Sequence, residues 1–302
     1  MISRQFTLYS SRQAEVLLPY PSANMTESLF LIEPDELESE LEKPAVRIVD
    51  LSKIETHAQI RIPDATHVDY ALLMAGSPPA PGLLPSDERL LALEGLVGLD
   101  QSQVVVAYDD EGSGRAARFA WTLHYLGYEN IRVLNGGLHA WHNEGHRVSR
   151  DPINPPITID VAKAELESKN ADVLADADYV LRNLDNKKVR LLDARSPEEY
   201  SGQKVFSARG GHIPGAVNLN WQETLDTERN LRLKPPAVLM PMLEALAITP
   251  DYEIITYCQT HHRSAHAWWM LKTLGFPRVR GYAGSWSEWG NRQDLPIQME
   301  GP

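Results

Sequence analysis

Two stretches of the chain, Val104–Tyr108 and Glu253–Tyr257, are short β-branched apolar runs, each followed by a few polar residues and then a segment with apolar positions three and four apart. In the later segment those positions are Ala265, Trp268, Trp269, Leu271 and Leu274, the spacing of a helix that buries one face. Read the same way, the second half predicts strands over 189–192, 216–219, 253–257 and 278–280, and helices near 177–183, 236–247 and 264–274. Strands that alternate with helices imply an α/β fold, a mostly parallel sheet flanked by helices on both faces.

The pattern occurs twice. Ala117-Arg-Phe-Ala-Trp-Thr-Leu-His-Tyr-Leu-Gly-Tyr128 aligns without gaps on Ala265-His-Ala-Trp-Trp-Met-Leu-Lys-Thr-Leu-Gly-Phe276 at an offset of 148, and the match continues to Trp141 and Trp289. Upstream, Ile62-Pro-Asp-Ala65 matches Ile213-Pro-Gly-Ala216, and Ile48-Val-Asp50 matches Leu191-Leu-Asp193. So many matches in one order indicate a tandem duplication. The expected organisation is an extension over 1–27, a first domain over 28–147, a linker over 148–174 centred on the proline-rich Asp151-Pro-Ile-Asn-Pro-Pro156, a second domain over 175–293 and a tail over 294–302.

Composition narrows the function. The 302 residues are 43% hydrophobic and 23% charged, with a formal net charge of −12. Such an acidic surface repels phosphate backbones and anionic lipid, so neither a nucleic-acid nor a membrane partner is expected. No apolar run approaches the roughly 20 residues of a membrane helix. The extension shows no signal-peptide core, because Glu15 interrupts its longest apolar stretch. There is one cysteine, which forbids an internal disulfide and suits a reducing compartment, so the expected location is the cytoplasm.

That cysteine is well placed. Ligands of α/β sheets sit beyond the carboxyl ends of the strands, and the two equivalent loops there differ. The second half carries Tyr257-Cys-Gln-Thr-His-His-Arg-Ser264, the first Tyr108-Asp-Asp-Glu-Gly-Ser-Gly-Arg115, one residue longer and with Asp109 where the cysteine would be. A strand-to-helix loop presents successive N–H groups and a helix N-terminus to an anion, which lowers a thiol pKa, and Arg263 adds a permanent cation. Cys258 is therefore the expected nucleophile. A buried, inert cysteine is the ordinary role of a lone thiol, but this polar loop argues against it.

The chain resembles the two-domain rhodaneses, which are thiosulfate:cyanide sulfurtransferases. Asp193-Ala-Arg195, Glu198-Glu-Tyr200, His212-Ile-Pro-Gly-Ala216, the Cys258–Arg263 loop and Gly281-Tyr-Ala-Gly-Ser-Trp-Ser-Glu-Trp289 carry the resemblance. It implies that Cys258 carries sulfur as a persulfide between a small-molecule donor and a thiophilic acceptor, with a protein sulfur acceptor as the alternative. It also implies that Gln259, Thr260, His261, His262 and Arg263 bind the anionic substrate. Mitochondrial-type members have arginine at the position of Glu199 and lysine at that of Thr260, so here anion recognition is expected to fall on the loop amides and Arg263, with the histidines as partial cations in acid. Arg195 can either touch substrate or pair with Asp193. No metal or cofactor is expected, and the internal duplication makes a monomer the expected state.

Rival readings are weaker. The dual-specificity phosphatases share this fold but place five residues between cysteine and arginine, whereas Gln259 to His262 is four. Gly112-Ser-Gly114-Arg-Ala-Ala117 imitates a dinucleotide fingerprint, yet Asp109, Asp110 and Glu111 precede it and would repel a pyrophosphate. His139, His142 and His146 fall on one helical face and read as a solvated cluster.

Overall fold

The computed structural model describes residues 29–98, 102–152 and 169–299. The 1–27 extension and most of the proline-rich linker lie outside them. In the first half, strands β1 (Leu31–Ile32), β2 (Val46–Asp50), β3 (Thr66–His67), β4 (Val104–Tyr108) and β5 (Ile131–Leu134) form a parallel sheet in the order β1-β5-β4-β2-β3. Its helices are α1 (Pro34–Glu40), α2 (Ile54–Gln59), α3 (Asp87–Val97), α4 (Gly114–Tyr125) and α5 (Gly137–Asn143).

The second half repeats this plan. Strands β6 (Leu174–Ala175), β7 (Val189–Asp193) and β8 (Val217–Asn218) are followed by a small antiparallel pair, β9 (Leu225–Asp226) and β10 (Arg232–Leu233), then β11 (Glu253–Tyr257) and β12 (Val279–Tyr282). The sheet order is β6-β12-β11-β7-β8, again parallel. Helices α6 (Ala177–Arg182), α7 (Pro197–Tyr200), α8 (Pro236–Ala245), α9 (Arg263–Thr273) and α10 (Ser285–Trp289) complete it. The expected strand over 253–257 is observed residue for residue, whereas the four-residue α7 and five-residue α10 are too short for periodicity to register.

Alternation along the central strands sorts side chains into layers. Val105 and Ala107 of β4 and Ile254 of β11 join one shared core with α3, α4, α8 and α9, while Val106 and Tyr108, or Ile255 and Tyr257, face separate outer cores. The two halves thus meet along α4 and α9. The contact is nearly symmetric: Trp121 donates its indole N–H to the Val173 carbonyl just before β6, and Trp269 donates to the Phe30 carbonyl just before β1. The repeat tryptophans Trp121, Trp141, Trp269 and Trp289 are all buried, core residues as their equivalent positions suggest.

One reading is corrected. Helix α5 ends at Asn143, so His146 lies beyond it, buried against the Trp141 ring at 4.8 Å and bonded to Glu38 at 2.5 Å. His139 and His142 are exposed as expected, and His146 alone leaves the solvated face.

Candidate active site

Cys258 follows the central strand β11 and is completely buried. The loop curls around it because its carbonyls are held outward. The Cys258 carbonyl accepts from Trp286 N–H at 2.9 Å and that of Gln259 from Ser287 N–H at 3.0 Å. The Thr260 carbonyl abuts Gly82 of the first half, where any Cβ would overlap it, and the His261 carbonyl accepts from Arg118 at 3.4 Å. In a planar trans peptide the N–H points opposite to the preceding C=O, so the amides of 259–262 turn toward the inside of the loop, a cradle for negative charge.

The equivalent loop of the first half shows what such a cradle holds. There the buried Asp109 carboxylate accepts four backbone N–H bonds, from Glu111, Ser113, Arg115 and Ala116, at 2.9–3.0 Å. Burial and the neighbouring Glu111 push the Asp109 carboxyl up, and those N–H groups oppose them. The scaffold-like half has filled its own anion site.

At Cys258, burial pushes the thiol up, but the Arg263 charge, the Ser264 hydroxyl and the N–H groups of Ser264 and Thr260 outweigh it and hold the pKa below the ordinary value. The backbone N–H of Cys258 donates to Ser285 Oγ at 3.3 Å. Ser285 takes φ +52°, as its repeat equivalent Gly137 takes φ +53°. A serine in this left-handed conformation is costly and supplies a hydroxyl that glycine cannot.

The remaining expected residues are distributed unevenly. Gln259 is held by the Ser207 hydroxyl at 3.1 Å. Thr260 contributes its backbone. His261, at φ +55°, buries its ring against Trp121 at 4.4 Å and bonds Ser264 Oγ at 2.7 Å. Its burial, with Arg118 and His262 nearby, holds it well below the usual histidine pKa, so it remains neutral and is no partial cation. His262 hydrogen-bonds Glu111 across the interface and packs between Tyr70 at 5.5 Å and Trp221 at 6.0 Å. Gly114 leaves room for that imidazole, so the glycines of the fingerprint-like loop serve the contact between halves and not a nucleotide.

Of the two arginines, one takes the second of its two expected roles and the other departs from expectation. Arg195 is buried and spends Nε and Nη2 of its guanidinium on Asp193 at 2.6–3.0 Å and on the Gly211 carbonyl at 2.8 Å. It is an internal ion pair. Arg263 is not a free cation: Glu199 takes it in a two-pronged pair at 2.6 and 2.9 Å. Glu199 itself is nearly buried, and although burial pushes its carboxyl up, Arg263 brings it below the ordinary range.

Sequence reasoning missed the contributions of the first half. Tyr70, Gly82, Glu111 and Arg118 all meet the Cys258 loop or its flanks, from positions more than 140 residues away. The one sequence signal was Arg118 itself, a charged residue one helical turn before Trp121 on the buried stripe of α4.

A duplicated α/β fold with a single low-pKa cysteine at the carboxyl end of one central strand defines a rhodanese-type protein. The rhodanese-like domain family matches residues 33–144 and 176–292, and the chain belongs to that family. It is similar to a thiosulfate sulfurtransferase of Azotobacter vinelandii (44% identity over 89% of this chain and 97% of that one) and to one of Pseudomonas aeruginosa (42%, with the same coverage). It is also similar to the sulfur carrier protein TtuD of Thermus thermophilus, at 32% identity over 88% of this chain and 95% of that one. Among solved structures, an anaerobic ergothioneine biosynthesis enzyme from Chlorobium limicola superposes with a TM-score of 0.78 at 25% identity, covering 91% of this chain and 71% of that one.

Proposed function

We propose that this chain is a thiosulfate sulfurtransferase with Cys258 as the sulfur carrier. The Cys258 thiolate attacks the outer sulfur of thiosulfate, the S–S bond of the donor breaks, and sulfite departs with the electron pair, leaving a persulfide on the enzyme. Cyanide or another thiophilic acceptor then attacks the outer sulfur, and Cys258 leaves as thiolate, a double displacement. The amides of 259–262 and the Arg263 charge stabilise the anionic sulfur in both steps. The proposed setting is a cytoplasmic monomer.

The observation that carries the reading is the inward-facing amide loop around a thiol of lowered pKa, in a fold whose other half uses the same device to hold the Asp109 carboxylate. A phosphatase is disfavoured twice, by a loop of four intervening residues and by an arginine already committed to Glu199. Delivery to a protein acceptor is the second reading. Exposed Val205 and Phe206 adjoin Ser207, whose hydroxyl holds Gln259, and one relative bears the name of a sulfur carrier. Thiocyanate release from thiosulfate and cyanide tests the first reading: it should be present in the native protein and absent in Cys258→Ser at an unchanged melting temperature.

A further inference from the structure

Arg118 lies in α4, in the half without the cysteine, and is completely buried. A buried guanidinium normally has a carboxylate partner. Among the described residues none pairs with it. Its Nη2 donates to the carbonyls of Leu73 at 2.9 Å and Gly82 at 2.8 Å, its Nη1 to that of His261 at 3.4 Å, and its Nε has no acceptor. The carbon of the guanidinium sits 4.8 Å from the Trp121 ring centre. The acidic groups that act on it are Cys258 and the Tyr70 phenol, whose buried hydroxyl has no hydrogen-bond partner and is kept protonated by burial.

The contrast with Arg263 is what gives this charge a purpose. Arg263 shares its charge with Glu199, so the cation of the site that has no carboxylate partner comes from the other half of the molecule. Arg118 also fixes two pieces of the cradle at once: it holds the His261 carbonyl outward, which turns the His262 amide inward, and it holds Gly82, against which the Thr260 carbonyl rests.

We propose that Arg118 is a positioning residue of the Cys258 site, acting across the interface to orient the loop amides and to balance the charge of the thiolate or persulfide. This rests on the reading of Cys258 as the reacting sulfur. Burial lowers the Arg118 pKa to about 10, with Tyr70 and Cys258 opposing the shift, so it stays cationic at neutral pH. The groups that lower the thiol pKa are Arg263 and the Ser264 hydroxyl of α9 with the N–H groups of Ser264 and Thr260, and Cys258 in turn raises the pKa of Arg118 from α4 and of Tyr70 from the turn Tyr70–Leu73.

Because the chain has one cysteine, the pH dependence of iodoacetamide alkylation reads this thiol alone, in the full-length protein and without any sulfur donor. Arg118→Met should raise the thiol pKa by about one unit, a roughly tenfold slower alkylation near neutral pH, and Arg118→Lys should stay close to the native profile. A folded Arg118→Met protein with the native thiol pKa overturns the proposal. If the methionine variant does not fold, Arg118→Gln against Arg118→Lys decides: a pKa raised in the glutamine variant and not in the lysine variant supports it, and indistinguishable values overturn it. A native protein that gains no sulfur from thiosulfate would instead refute the sulfur-carrier reading, which the alkylation profile does not depend on.

Discussion

The loops after the two central strands began as copies and now solve the same electrostatic problem in opposite ways. In 109–116 the negative charge is covalently part of the turn: the Asp109 carboxylate saturates four amides. In 258–264 the corresponding amides surround a thiol, a poorer hydrogen-bond acceptor, and stay available for the charge that develops on sulfur. The difference teaches that an anion cradle can serve as a structural cap or a catalytic device, depending on whether the chain supplies its own anion. It also explains why the silent half persists. Its α4 and its 70–82 segment form one wall of the active loop, with Arg118, Gly82 and the Glu111–His262 bond.

The largest way to break this contrast, short of removing the cysteine, is Arg263→Ala. It removes the cation from the thiol and strands the nearly buried Glu199, so stability should fall by about 2–3 kcal/mol while kcat/KM for thiosulfate falls by roughly 10–100-fold. Adding Glu199→Gln should recover most of the stability and little of the activity. Equal recovery of both would show that Arg263 acts only through folding.

Asp109→Asn probes the other loop. It keeps the shape and turns an amide donor toward N–H groups that need acceptors, so denaturant titration should show a loss of about 1–3 kcal/mol. An unchanged midpoint would mean that the carboxylate is not the cap described. Asp109→Cys should gain no persulfide from thiosulfate, because that loop is longer and acidic; a labelled second site would erase the contrast altogether.

The smallest effect is in acid. Glu199 and Glu111 titrate below their ordinary value of 4.5 in the folded chain, held down against burial by Arg263 and by His262 respectively. Their contribution to stability is therefore fully present above pH 4.5 and is lost as the pH falls through their lowered folded values. The native urea midpoint should drop over that range, and Glu199→Gln should drop less steeply. Parallel slopes in the two proteins would contradict the Glu199 assignment.

Much of this was legible in the sequence. The repeat placed Cys258 and Asp109 at equivalent loop positions, and the periodicity of β11 and α9 showed which strand and helix flank the cysteine. Arg195 was ambiguous because a residue two positions from Asp193 at a strand end can point either way, and only packing against Trp286 and the Gly211 carbonyl decides it. The histidines misled for a related reason: a polar loop reads as accessible, yet His261 turns its ring into the interface. The Glu111, Arg118 and Glu199 partnerships join residues 64 to 151 positions apart, and local pattern carries no record of such pairs.

The central claim is that Cys258 carries sulfur and Asp109 closes the equivalent site. Intact-protein mass after incubation with thiosulfate, and again after cyanide, tests it most directly. The native protein should gain the mass of one sulfur atom and lose it to cyanide with release of thiocyanate, and Cys258→Ser should gain none. A native protein of unchanged mass, or a sulfur retained by Cys258→Ser, would contradict the account.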